Sequence, residues 1–328
     1  MRVVRLGIIG LGYIGQIHLR HALQIPNARV VAVSDQSKKV LAKAKSSAVQ
    51  KTYTNYGHLL KDPEVDAVII ALPIQLHLQC SRQAAEARKD IFLEKPMATN
   101  IEQAREIISA IQDNNVKLMM GYPYRFSQSF KDLELNIKSG FLGDVEIAHA
   151  TFIGSGPFIH RAEGYTPVAV PEWWFRKELT GGGVLVDLGS HMINLLRWYF
   201  GEITDIKSHL TYRFNLDIED GAVCIAKFEN GTVGIISVGW FSQAHKLKVE
   251  CFGSVSHAEA QHVPSGNLNT AAQMLFTGTS KFYQPHYSEL QYFVNCLIKD
   301  LNPSPSGQDG LKDLEAISRA YKNQIRLN

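Results

Sequence analysis

Leu6-Gly7-Ile8-Ile9-Gly10-Leu11-Gly12-Tyr13-Ile14-Gly15 is a short apolar run that breaks into three glycines and then enters a helical pattern. The next apolar run, Arg29 to Ser34, ends at Asp35, twenty positions after Gly15. A chain builds a dinucleotide site in this way. Gly10 allows a sharp turn off the first strand, Gly12 leaves room for a pyrophosphate, and Gly15 lets the helix lie close to the sheet. The backbone N–H groups that open the helix, from Tyr13 and Ile14 on, carry partial positive charge and bind phosphate. The Asp35 carboxylate can accept both hydroxyls of the adenosine ribose. It would repel the 2′-phosphate of NADP, and the flexible point charges of Lys38 and Lys39 soften that discrimination without reversing it. NAD is the expected cofactor, with NADP as the weaker ligand.

The 328 residues exceed one ordinary core and point to two domains. A net charge of +3, with no basic run interleaved with aromatics, gives no case for nucleic acid. Cys80, Cys224, Cys251 and Cys296 are scattered, with neither zinc spacing nor a disulfide framework, which fits a reducing cytoplasm. The longest uncharged apolar stretch, Ala67 to Leu78, is too short to span a bilayer, so no membrane role is expected. His18 and His21 have the spacing of a metal pair, but no third ligand stands at a readable distance, and no metal is expected.

Through Gly121 the chain alternates strand and helix. Apolar runs at Leu6–Gly10, Arg29–Ser34, Ala67–Ala71, Ile91–Leu93 and Lys117–Gly121 are separated by helical patterns near Tyr13–Gln24, Ser37–Ala48, Gln75–Ala87 and Asn100–Asp113. Near-continuous apolar strands with helical crossovers predict an α/β fold with a doubly wound parallel sheet, its ligand crevice at the carboxyl ends of the strands. After Gly121 the pattern changes. It predicts helices near Ser127–Ser139 and Val186–Phe200, a long loop over 154–171, and strands at Val145–Ile153, Ile203–Tyr212, Ala222–Phe228, Val233–Phe241 and Leu247–Phe252. Glu229-Asn230-Gly231 is a hairpin signal. Two helices, near His286–Lys299 and Gln308–Lys322, close the chain. The expected domains are therefore 1–121, which binds the dinucleotide, and 122–328, an α+β domain with a mostly antiparallel sheet that binds substrate.

Two groups of residues carry chemistry. Ile91-Phe92-Leu93 runs into Glu94-Lys95-Pro96, so Lys95 stands at the carboxyl end of a strand, facing the nicotinamide. There it can bond the oxygen on the carbon that exchanges hydride and stabilise developing charge. Farther along, Gly181-Gly182-Gly183 precedes Asp187 and His191, which are four apart and share one helix face. A carboxylate beside an imidazole suits a general base, and the glycine run is expected to let backbone approach substrate. Trp173 and Trp174 can wall a sugar pocket or fill a core.

With Gly10-x-Gly12-x-x-Gly15, Glu94-Lys95-Pro96, the glycine run with Asp187 and His191, and the tail Pro305-Ser306-Gly307-Gln308-Asp309-Gly310, the chain resembles the Gfo/Idh/MocA oxidoreductases over essentially its whole length. The resemblance implies a Rossmann domain followed by an α+β domain with a large open sheet that pairs into homodimers or homotetramers. It implies that Lys95, Asp187 and His191 are catalytic and meet beside the nicotinamide. Cofactor contacts fall by the same resemblance on Leu72, Pro73, His77, Glu94, Lys95 and Arg125. Leu72-Pro73-Ile74 and Pro123 depart from the family's usual Thr-Pro-Asn and Asn, which removes polar side chains on the nicotinamide side. The implied activity is oxidation of a secondary alcohol of a sugar or an inositol-like polyol. The alternatives are a glycosidase with a transient NAD redox cycle and a non-catalytic regulator. Keeping Lys95, Asp187 and His191 together argues against the regulator.

Overall fold

The computed structural model describes residues 2–45, 49–161, 164–167, 170–262 and 284–325. By packing, the chain forms two units. The first is Met1–Pro123 with Gly266–Leu311, and the second is Tyr124–Ser265 with Lys312–Asn328.

In the first unit, β1 (Val4–Ile9), β2 (Ala28–Ser34), β3 (Lys51–Tyr53), β4 (Ala67–Ile70), β5 (Asp90–Glu94) and β6 (Leu118–Gly121) form one sheet in the order β3-β2-β1-β4-β5-β6. All its pairings are parallel. The chain reverses direction across the sheet between β1 and β4, and a ligand crevice opens at such a point. Helices α1 (Tyr13–Ala22), α2 (Lys38–Lys45), α3 (Tyr56–Leu60), α4 (His77–Glu86) and α5 (Ile101–Asn114) supply the crossovers. β1 and β4 are buried almost throughout, as two-sided coverage requires. β3 and α3 were not foreseen. β3 is a three-residue edge strand, half-buried throughout, and carries no apolar run.

The expected single break after Gly121 differs from the observed division. The helix Gln284–Ile298 packs on α1, with the rings of His286 and His18 6.2 Å apart, and so belongs with the first unit. The tail motif also belongs there. Ser306 pairs with Met119 on β6, and Asp309 accepts from the Ser306 N–H and hydroxyl at 2.7 and 2.9 Å, capping the helix Gly307–Lys322.

The second unit holds α6 (Gln128–Lys138), α7 (Lys177–Thr180), α8 (Ser190–Phe200) and a six-stranded sheet. Its strands are β7 (Val145–Ile153), β10 (Ile203–Thr211), β11 (Gly221–Phe228), β12 (Val233–Gly239), β13 (Lys246–Gly253) and β14 (His257–Gln261), in the order β10-β11-β12-β7-β13-β14. Every pairing but β12–β7 is antiparallel. The Asn230-Gly231 turn joins β11 to β12, with Gly231 at φ +96°. The stretch expected to be a plain loop contains an antiparallel strand pair, β8 (Phe158–Arg161) and β9 (Gly164–Pro167). One face of the large sheet packs on α6 and α8 through Phe130, Leu133, Ile193 and Leu196. On the other, Ile147, Val223, Ile225 and Phe252 remain 41–51% exposed. No helix among the described residues is long and apolar enough to cross a membrane.

Candidate functional site

The first unit presents a dinucleotide cradle. Gly10 sits at φ +89°, and a Cβ there would lie 2.4 Å from the Ala71 carbonyl oxygen. A Cβ on Gly15 would lie 2.0 Å from the Gly10 oxygen, so α1 meets the sheet at a distance only glycine permits. A Cβ on Gly12 would meet nothing within 4 Å. That open space stands at the N-cap of α1, where no side chain caps the helix. Tyr13 is exposed and Ile14 half-buried at its start. Asp35 directly follows β2, half-buried, and its two carboxylate oxygens accept from Leu11 N and Ser37 N, each at 2.8 Å. Those bonds tie the carboxylate to Leu11 in the glycine turn and leave lone pairs for hydroxyl donors. The cradle fits a pyrophosphate with an adjoining ribose.

At the carboxyl ends of β4 and β5, the Leu72-Pro73 and Lys95-Pro96 turns are tied together by His77. Its Nδ1 is 2.9 Å from the Pro96 oxygen and its Nε2 2.9 Å from the Leu72 oxygen. Complete burial pushes the His77 pKa down, while the surrounding carbonyls favour the charged ring. This engagement of both ring nitrogens gives His77 a bracing role between the two turns. Glu94 is buried, accepting from His18 Nε2 at 2.5 Å and from the Lys95 N–H at 3.2 Å. Lys95 follows it half-buried at the strand end.

In the second unit, Leu185–Gly189 forms a π-helical turn that runs into α8, in place of the uniform helix expected from Val186. Such turns recur at functional sites. Asp187 lies half-buried within the π turn, and Trp240 Nε1 donates to its Oδ2 at 3.3 Å. His191, buried in the first turn of α8, lies edge-on to Tyr124 at 4.9 Å, with Phe152 at 5.8 Å. His245 stacks edge-on to the same Phe152, and burial, then His262, lowers its pKa. His191 is thus an imidazole in an aromatic wall, one turn after a carboxylate that an indole orients.

The glycine run has a structural cause. Glu219, buried, accepts from Gly183 N at 3.0 Å, Leu185 N at 2.9 Å and Tyr321 Oη at 2.7 Å. A Cβ on Gly183 would lie 2.1 Å from the Glu219 main-chain oxygen, and one on Gly182 2.0 Å from Tyr321 Oη. The close approach predicted for substrate is made instead to Glu219 and Tyr321. Burial pushes the Glu219 carboxyl up, and its donors pull it down.

Trp174 is half-buried against the second core, its ring 5.4 Å from that of Trp240. Trp173 is half-buried beside it. Arg125 is buried in the second unit, with Nε donating to Asn194 Oδ1 at 2.6 Å and its guanidinium over Trp198. Sequence reasoning missed Trp240 and Glu219. Trp240 acts on Asp187, and Glu219 on the Gly183–Leu185 backbone that leads into it, each from far along the chain with no local spacing to reveal it.

Comparison with known proteins places these features in a family context. The sequence profile described as "Oxidoreductase family, NAD-binding Rossmann fold" matches residues 4–122, and that of the GFO/IDH/MocA C-terminal domain matches 130–258. The chain is 26% identical to myo-inositol 2-dehydrogenase of Thermotoga maritima over 94% of its length and 92% of the relative's. It is 24% identical to scyllo-inositol 2-dehydrogenase (NAD(+)) of Bacillus subtilis over 98% of its length and 94% of the relative's. Among solved structures, scyllo-inositol dehydrogenase from Lactobacillus casei, with bound NAD(H) and scyllo-inositol, superposes with a TM-score of 0.82. It is 22% identical, over 98% of this chain and 97% of that one.

Proposed function

The chain belongs to the GFO/IDH/MocA family of NAD-binding oxidoreductases, and on that premise we propose that it oxidises a secondary alcohol of a cyclic polyol or sugar. The observation that carries this reading is the pair of Asp187, oriented by Trp240, and His191, one turn later, in an aromatic wall. A regulator that only sensed the dinucleotide would need no such proton acceptor. NAD, when bound, supplies the hydride acceptor. His191 takes the hydroxyl proton with Asp187 balancing its charge, Lys95 bonds the substrate oxygen, and Trp173 and Trp174 offer faces for an apolar ring surface. Relatives named for myo-inositol, scyllo-inositol and levoglucosan support a ring bearing several hydroxyls. Four separate, buried thiols suit a reducing cytoplasm. A panel of inositols, anhydrosugars and aldoses assayed for NADH formation tests the reading. Glycoside cleavage without net NADH would replace it with the transient redox cycle.

The Asp35 geometry supports a preference for NAD over NADP. Its oxygens are held by Leu11 N and Ser37 N, so the carboxylate cannot swing away from a 2′-phosphate, and Lys38 and Lys39 are exposed. Asp35→Ser should weaken NAD and strengthen NADP, narrowing or inverting the ratio of dissociation constants measured by NADH and NADPH fluorescence. A tenfold wild-type preference for NADP would overturn the assignment.

The outer sheet face supports a homo-oligomer. Ile225 pairs with Ile235, and Val233 with Ile147, on adjacent strands, and an apolar patch of that extent invites association. Light scattering should give at least a dimeric mass at micromolar concentration. Ile225→Asp should lower it to the monomer, whereas a monomeric wild type would end the idea.

A further inference from the structure

The cluster about Glu94 has a member that the dinucleotide cradle does not use. Glu289, on the helix Gln284–Ile298, is fully buried, and neither carboxylate oxygen meets a hydrogen-bond partner among the described residues. It faces His18 and Glu94, with one nitrogen or oxygen from each of the three within 4.8 Å of the others. His18 Nδ1 also lacks a partner there. Two carboxylates this close in a dry interior do not both ionise, because each desolvated charge is uncompensated and they repel. A divalent cation would take His18 and Glu94 as ligands about 2 Å from itself. Instead they contact each other directly at 2.5 Å, as hydrogen-bond partners do, closer than the roughly 3 Å between two ligand atoms of one tetrahedral ion. Polar atoms up to 4.8 Å apart suit one enclosed water bonded to both.

We propose that Glu289 is a positioning residue for Lys95, a buried neutral carboxylic acid that donates through one enclosed water to Glu94. Glu94 is then the one anion of the cluster, holding α1 through His18 and the Lys95 turn through its N–H. The inference rests on the role given to Lys95 above. Burial, then the charge on Glu94, pushes the Glu289 carboxyl well above the usual range. The other titratable groups about it are His18 and His21 on α1, His286 on its own helix, and His77 and Lys95 beyond Glu94. His21, held down to about 4 by burial and then by His18 and Arg20, is neutral at pH 7.

The sign of the pH effect follows from the raised value. Above the ordinary glutamate range the unfolded chain has lost this proton while the folded one keeps it, so the residue's contribution to stability falls as pH rises. Glu289→Gln keeps the shape and the donor but cannot ionise. Its Tm relative to wild type should therefore rise by several degrees between pH 5 and pH 8, while kcat on the polyol oxidised in the panel stays within about threefold at pH 7. Glu289→Leu, which has no donor, should lower kcat about tenfold at unchanged KM for NAD. A Gln variant destabilised equally at every pH, or a stoichiometric divalent metal in the purified protein, would show an ionised ligand carboxylate and overturn the proposal. So would a Leu variant with wild-type kcat. The melts need no substrate, so their outcome is independent of the reading of the reaction.

Discussion

Lys95→Ala should lower kcat by roughly 100-fold or more, the range that a positioned proton-transfer or charge-stabilising group supplies. The dissociation constant for NAD should stay within about threefold, because the cradle is built elsewhere, from Gly10, Gly12, Gly15 and Asp35. The backbone of the turn should survive the substitution. Glu94 bonds the Lys95 N–H rather than its side chain, and His77 braces the following carbonyl from α4. Lys95→Arg should recover little, since a planar fork does not replace a compact ammonium at a single oxygen. His191→Ala should also lower kcat, and the double variant should fall by far less than the product of the two losses if both groups act on one proton transfer. A Lys95→Ala enzyme within fivefold of wild type would remove the lysine from the chemistry and leave His191 to act alone.

The readable parts of the chain were those in which local pattern and long-range packing coincide. β1, β2 and β4 are apolar on both faces because helices cover both, so their runs stand out in one dimension. The Gly10–Gly15 spacing is legible because Gly10 and Gly15 each answer to a steric limit within a few residues or beside the adjacent strand, while Gly12 leaves open the space at the helix start. Legibility ends where the deciding partner is far away in sequence. Nothing in Gln284–Ile298 marks it for the first unit. Its membership follows from packing against α1, more than 250 positions earlier. The Gly181–Gly183 run announces a close approach without saying to what, and Glu219 and Tyr321 answer only in three dimensions. β3 and β14 are short edge strands with one or no strongly apolar positions, so period-2 reasoning has little to count. The Asp187–His191 spacing was visible, but the indole that orients Asp187 lies 53 residues downstream.

Distance in sequence also conceals a buried charged network in the second unit. Asp313, on the helix Gly307–Lys322, is buried. It accepts from Arg197 Nη1 at 2.6 Å and from Asn194 Nδ2 at 2.7 Å, and Asn194 in turn holds Arg125. Arg197 also forks onto Glu202 at 2.6 and 3.0 Å. Burial pushes the Asp313 carboxyl up against the pull of Arg197 and Arg125, so desolvation consumes much of what the pairing returns. Such a pair adds little net stability while intact, and breaking it is another matter. Asp313→Ala leaves a buried guanidinium half-paired and the Asn194 amide without its acceptor, which should cost about 3–5 kcal/mol. At about 2–4 °C per kcal/mol for a unit of this size, Tm should fall by roughly 6–20 °C. The effect would reach the site through α8, which carries Asn194 and Arg197 on the same helix as His191. Replacing both charges, Arg197→Met with Asp313→Leu, should recover at least half of the loss, because no uncompensated charge remains between them. Differential scanning calorimetry of the single and double variants decides the matter. A single variant within 1 kcal/mol of wild type would show that water enters and solvates Arg197, and that this network does not hold α8 in place.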